Sequence, residues 1–267
     1  MKKCIFCDKS PPEVKITKEH VLPQWMKKSF PLSPDYAKNV LYVAETAGID
    51  PVERNMIGLS PFEMKVSRVC DKCNNGWMSR KLEEPLKTTL EKLITFKSIV
   101  LNNEEKELLA LWAVKTAAVR ALLDTGENII PDWFYKNIQS MSIPNGCTVY
   151  IVCRNESNEY ITSYYSRRRV GDCTLFLCTF EIKSLVLFVS WCDPEAEKKE
   201  DIEEVINELL TDGCAGASQK IFPPSNKESH WPFDEPIEFT PLLLNHYATN
   251  MLYTRFIDNK FPIIIIN

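Results

Sequence analysis

The spacing of apolar positions changes along the chain, and the changes mark its elements. Val14-Lys15-Ile16-Thr17 alternates apolar and polar residues, which predicts a short strand that delivers Glu19 and His20 at its end. Pro23 then suits the first turn of a short helix over 24–28, because proline is tolerated there and not further in. Residues 30–61 hold Pro31, Pro34, Gly48, Pro51, Gly58 and Pro61, and read as an irregular insertion with at most one short strand around 40–43. Alternation returns at 62–67 and leads into Val69-Cys70. Beyond Cys73 the period becomes helical, with Trp77, Met78, Leu82, Leu86, Leu90, Leu93 and Ile94 on one side and Pro85 as the place for a kink.

From Asn102 a second unit begins. Leu108, Leu111, Trp112, Lys115, Val119 and Leu122 fall at three- and four-residue steps, predicting an amphipathic helix over 103–123 that Asp124-Thr125-Gly126 closes. A short helix is expected from Pro131, then four strands over 148–153, 160–165, 174–181 and 184–191, then a helix over 195–210. The tail 261–266 reads as an edge strand, expected to be paired because an exposed one would aggregate. The fold class is α+β: a module over residues 1–100, then a helical segment and an α+β domain with an antiparallel sheet over 101–267.

Charge says which end could approach phosphate. The chain carries −4 overall, but residues 1–100 hold 17 Lys and Arg against 12 Asp and Glu, while the remainder holds 15 against 24. No apolar run reaches the roughly 20 residues that span a bilayer, and the N-terminus lacks the apolar core of a signal peptide. A soluble cytoplasmic protein without membrane contact is the expectation.

Ten cysteines are enough for a disulfide scaffold, yet four stand as Cys-x-x-Cys pairs, Cys4/Cys7 and Cys70/Cys73. Four thiolates brought together make a closed tetrahedral site for structural zinc, and a helix starting at the second pair is a treble-clef arrangement. The other six, Cys147, Cys153, Cys173, Cys178, Cys192 and Cys214, make no such pair and mostly lie in apolar strands, where a reduced buried thiol is the ordinary explanation. His20, set between the two pairs, becomes a candidate for chemistry.

Three stretches together carry a resemblance: the Cys4/Cys7 pair, Thr17-Lys18-Glu19-His20-Val21-Leu22-Pro23-Gln24-Trp25, and Cys70-Asp71-Lys72-Cys73-Asn74-Asn75-Gly76-Trp77-Met78. They resemble an HNH endonuclease of the zinc-bearing treble-clef kind, with a ββα-metal finger, over about residues 1–95. The resemblance implies an acidic residue directly before the first His, a proline three positions after it, and a His or Asn directly after the last Cys. Glu19, His20, Pro23 and Asn74 fall on those positions. The family's middle Asn or His has no clear counterpart, with only Asn39 and Asn55 available.

The implied function is metal-dependent hydrolysis of phosphodiester bonds in nucleic acid, DNA in the first place, with a role in restriction or antiviral defence. Hydrolysis needs a water deprotonated near neutral pH, which suits a neutral His20 as general base, and a Mg²⁺ or Mn²⁺ ion to which Glu19 and Asn74 would offer oxygen. Each residue also has a plainer role: His20 as a packed side chain, Asn74 as a helix cap, Glu19 as a surface carboxylate, Trp25 and Trp77 as core. Glu83 is a weaker candidate ligand. Tyr164-Tyr165-Ser166-Arg167-Arg168-Arg169 reads either as a nucleic-acid contact or as a hairpin end with exposed charges. The competing class is a non-catalytic zinc module that binds nucleic acid or protein; the second unit could add a protein partner or an oligomer contact.

Overall fold

The computed structural model describes residues 2–31, 39–43, 52–56, 61–123, 128–170, 172–224, 228–238, 242–257 and 263–265. In the first hundred, β1 (Ile16–His20) leads through Pro23 into α1 (Gln24–Ser29), β2 (Asn39–Val43) pairs with β3 (Val52–Met56), and β4 (Lys65–Cys70) follows a short 3₁₀ turn. The insertion therefore carries a hairpin rather than a single strand; β3 is short and polar at Glu53, Arg54 and Asn55, so no apolar alternation announces it. β1 and β4 run antiparallel, Ile16 opposite Cys70 and His20 opposite Lys65, with a bulge between Thr17 and Glu19.

The chain turns from β4 directly into helix. Cys70 is the N-cap of α2 (Asp71–Cys73), which continues as a π-helical stretch, Asn74–Glu83, and then as α3 (Glu84–Ile94). The irregularity sits at Gly76, whose φ of −91° and ψ of −108° leave the helical region. It does not sit at Pro85, which occupies the first turn of α3, where its missing N–H is no loss.

After β5 (Ile99–Leu101), Asn102 and Glu105 form a reciprocal capping box that starts α4 (Asn103–Ala121). Then come α5 (Asp132–Gln139), β6 (Cys147–Cys153), β7 (Ile161–Val170), β8 (Cys173–Ile182), β9 (Leu185–Cys192), α6 (Lys199–Thr211), β10 (Ser218–Phe222), β11 (Ser229–Trp231), α7 (Leu242–Ile257) and β12 (Ile263–Ile265). The large sheet has the order β10-β6-β9-β8-β7-β12, with every neighbouring pair antiparallel, and β12 is paired on β7 as the tail's pattern implied. β5 pairs with β11. The fold class is thus mixed helix and sheet with antiparallel sheets. No helix among the described residues is long and apolar enough to cross a membrane.

β7 runs beyond its sequence pattern, to Val170, and this changes the reading of the arginine cluster. Arg167 and Arg168 are buried strand residues, not charges at a hairpin end; only Arg169 is exposed. Cys173 and Cys192 form a disulfide, so those two are not the reduced thiols expected of them.

Both faces of the sheet are covered, which is why its strands read as almost unbroken apolar runs. Tyr150, Val152, Leu175, Leu177, Val186 and Phe188 face α6 and α7 in one cluster. Val149, Ile151, Phe176, Phe180, Leu187 and Trp191 face the other way, into a cluster that continues through α4 and α3 to Phe6, Val69 and Met78. Phe6 lies edge-on to Trp77 at 5.4 Å and to Tyr135 of α5 at 5.6 Å. The apolar core is continuous across residue 100.

Phe6→Ala tests that continuity. Removing a fully buried ring should lower stability by about 3–5 kcal/mol, and urea unfolding followed by tryptophan fluorescence should show one transition moved as a whole. A late transition left untouched by the substitution would mean that the two units hold separate cores.

Candidate metal centre and acid–base cluster

The turn at Cys4–Cys7 and the start of α2 converge on four sulfurs. Cys4 Sγ lies 3.8 Å from Cys73 Sγ, Cys7 Sγ lies 3.7 Å from Cys70 Sγ, and all four are within 4.8 Å of one another. A tetrahedral ion with metal–sulfur bonds of about 2.3 Å has edges of about 3.8 Å, so the spacing fits a zinc-sized ion. Backbone donors support the sulfurs: the Cys70 N–H donates to Cys4 Sγ and the Cys73 N–H to Cys70 Sγ, each at 3.4 Å. The Cys73 thiol beside it brings Cys4 down to about 4, whereas burial pushes Cys70 up to about 11. Among the described residues this is the one group of three or more His, Cys, Asp or Glu side chains arranged to share an ion.

The cluster also places β1. Ile5 N–H donates to the Arg68 carbonyl at 2.8 Å and Asp71 N–H to the Lys15 carbonyl at 2.9 Å, so the cysteine-bearing ends and the strand pair brace one another. His20 closes β1. Its ring is partly exposed, Nε2 itself is covered and makes no hydrogen bond with the protein, and burial first, then Lys65, lowers its pKa and favours neutral imidazole. Lys65 and Lys27 both hold Glu63, at 2.9 Å and 2.6 Å, and those two hydrogen bonds keep the Glu63 carboxyl down to about 2.

Glu19, one residue earlier, points the other way, as consecutive strand residues do. It is 5 % exposed and therefore no surface carboxylate. Its Oε1 lies 3.9 Å from Nζ of Lys115, a fully buried residue of α4, and that ammonium donates to Glu83 Oε1 at 2.9 Å. Burial drives Glu19 up to about 7; Lys115 opposes the shift and Glu83 adds to it. Burial disfavours the Lys115 charge, but Glu83 and Glu19 outweigh it and the pKa ends above its ordinary value. Lys115 stood in the apolar stripe of its helix in sequence and gave no hint of this role; the one available signal was a lysine where a core residue belonged.

Asn74 is the first residue of the π-helical stretch, partly exposed, with helical φ and ψ and its N–H bonded to the Asp71 carbonyl. Capping falls to Cys70, so neither Asn74 nor Asn75 is the N-cap. Pro23 is buried ahead of α1. Asn39 and Asn55 lie on β2 and β3, and their side chains fall outside the described residues. The structure brings the four cysteines together and sets His20 and Glu19 on two sides of β1; around Glu19 it gathers Glu83 and Lys115. His230 is exposed at β11, 3.6 Å from Glu228. A cleft of about 290 Å³ in the second unit, lined by Arg154, Asn158, Glu159 and Tyr160 among others, contains none of the sequence-predicted site residues.

Cys70→Ser should abolish stoichiometric zinc in protein purified without chelator, read by elemental analysis. It should also lower the melting temperature of the whole chain, because the affected turn carries Phe6 into the shared core. Metal-free wild-type protein with an unchanged melting temperature would remove the metal centre. No protein-family model, curated protein or solved structure matches this chain, so what the site does rests on its own residues.

Proposed function

We propose that the chain is a metal-dependent HNH-type endonuclease with His20 as general base, its cysteine cluster holding structural zinc. The observation that carries the reading is His20: an imidazole whose pKa burial lowers, with Nε2 hydrogen-bonded to no described residue, at the end of a strand braced by the cysteine cluster. The order of cysteine pair, β1, β4, second pair and helix is the order expected of a treble-clef ββα finger. Its substrate would be nucleic acid, DNA in the first place, met by the basic end of the chain.

In this reading neutral His20 takes a proton from water, the resulting hydroxide forms a bond to phosphorus, and the P–O bond to the leaving oxygen breaks, that oxygen taking a proton from solvent. Lys65 and Lys27 flank the histidine and offset phosphate charge. A bound Mg²⁺ or Mn²⁺ supplies charge stabilisation on the phosphate and the leaving oxygen. Glu19 fits a ligand of such an ion in one respect, a buried carboxylate that accepts no hydrogen bond from any described residue. Asn74 is the candidate neutral oxygen donor. One observation favours the competing class, a non-catalytic zinc module: His20 Nε2 is covered, as in a packed histidine.

Plasmid cleavage in Mg²⁺ or Mn²⁺ separates the two. His20→Ala should retain zinc and nucleic-acid affinity while cleavage falls by about 10²–10⁴-fold; equal cleavage by the variant would leave the binding module as the reading. Asn74→Ala should raise the divalent-ion concentration needed for half-maximal cleavage, and Asn74→Asp, which keeps an oxygen, should raise it less. Identical metal titrations for both would take Asn74 out of the site.

A further inference from the structure

β7 turns a polar row toward α7. Ser166 and Arg168 stand opposite Leu177 and Leu175 of β8, which belong to the cluster under α6 and α7, so all four share that face of the sheet. Arg168 is 5 % exposed. Its Nη1 donates to the Arg167 carbonyl at 2.7 Å and its Nη2 to Thr249 Oγ1 of α7 at 3.4 Å, while the buried Nε has no hydrogen-bond partner. Burial alone brings its pKa down to about 10, so the charge remains at neutral pH, and no carboxylate among the described residues offsets it. Arg154, buried on the same side, does have its carboxylate: Glu181, at 2.5 Å.

α7 brings a second uncommitted group to the same place. Thr249 Oγ1 donates to the Asn245 carbonyl at 2.7 Å, one turn back along the helix. Asn245 is 6 % exposed, and neither Oδ1 nor Nδ2 of its amide has a partner; Ser166 Oγ is buried without one as well. The direction of α7 sets these groups side by side. The chain approaches it from Glu238, whose carbonyl accepts from Arg154 near the start of β7, where Glu181 also accepts from Thr162. It then reaches Arg168 at Thr249. One helical turn back is about 6 Å, the length of two strand residues, which sets Asn245 over Ser166.

A buried charge is costly unless an opposite charge meets it, and buried polar atoms are costly unless hydrogen-bonded. The Arg168 Nε–H, the Asn245 amino group and the Ser166 hydroxyl are all donors, gathered beside one uncompensated positive charge. A water there would serve the dipoles and leave the charge as it is. We propose that α7 and β7 enclose a binding site for a small inorganic anion, of halide size and charge, held by Arg168, Asn245 and Ser166. The ion ties α7 to the strand on which β12 is paired, and the stability of that side of the sheet then depends on it. The site shares no residue with the cysteine cluster or with His20, so it stands apart from the nuclease reading.

Thermal unfolding of the full-length protein in sodium chloride and in sodium gluconate, at equal ionic strength, tests the site, because gluconate is too large to enter. Each tenfold rise in chloride above its dissociation constant should raise the wild-type melting temperature by about 2–5 °C. Arg168→Met, which removes the charge and keeps an apolar stem, should lose that response; Asn245→Ala, which keeps the charge, should need at least tenfold more chloride for the same rise. Crystals grown in sodium bromide should show an anomalous peak between Arg168 Nε and Asn245. Equal melting curves in the two salts would overturn the proposal, as would a wild-type chloride response in Arg168→Met, or a water without anomalous signal at that place. A bromide peak with no chloride response in solution would mean binding at crystal concentration only and would overturn it too. If Arg168→Met does not fold, Asn245→Ala decides: a chloride response within twofold of wild type overturns the proposal.

Discussion

The first hundred residues are organised by four sulfurs that two short turns bring together, Cys7 and Cys70 standing 63 residues apart in sequence. Those turns hold β1 against β4, set the start of α2, and carry Phe6 to the far side of the module, where Tyr135 meets it. Closing so long a loop costs little more than closing a short one, because the entropy grows only with the logarithm of length. The hairpin of β2 and β3 can therefore sit between the two cysteine pairs at small cost. Strand alignment near the cluster is fixed by the cysteine-bearing turns as much as by the ladder, which is only two strands wide and interrupted by a bulge.

α4 plays the corresponding part in the second unit. Nearly its whole circumference is buried, Lys106, Lys115 and Arg120 included. Burying an ammonium is tolerable when a carboxylate reaches it, and Glu83 comes from the irregular π-helical stretch. The polar cluster joins the two units beside an apolar core that is itself continuous between them.

Much of this was legible in the sequence for a simple reason: it is local. The cysteine spacing, the strand before His20, the Asn102 helix start and the four central strands are each stated by a few neighbouring residues. The features that were not legible are tertiary. Lys115 occupies a place in an apolar stripe, and only the arrival of Glu83 and Glu19 gives it a purpose. β7 outruns its pattern because β8 offers a partner along its whole length, which makes buried strand residues of Arg167 and Arg168. β10, β11 and α7 pack against surfaces from elsewhere in the chain, and their own residues announce little. Site chemistry divides the same way: His20 and the four cysteines stand out alone, whereas the setting of Glu19 exists only once α4 is in place.

Consecutive positions on β1 give the candidate site two electrostatic sides. Inward, Glu19 and Glu83 share one enclosed ammonium, that of Lys115, which hydrogen-bonds Glu83 and lies 3.9 Å from Glu19. Outward, Lys27 and Lys65 exceed Glu63 by one positive charge at the solvent-facing edge. In the proposed hydrolysis a phosphate would meet the second side, where His20 closes the strand. Burial first, and then Lys65 on the basic side, lower the pKa of His20 and so disfavour a further proton on its ring.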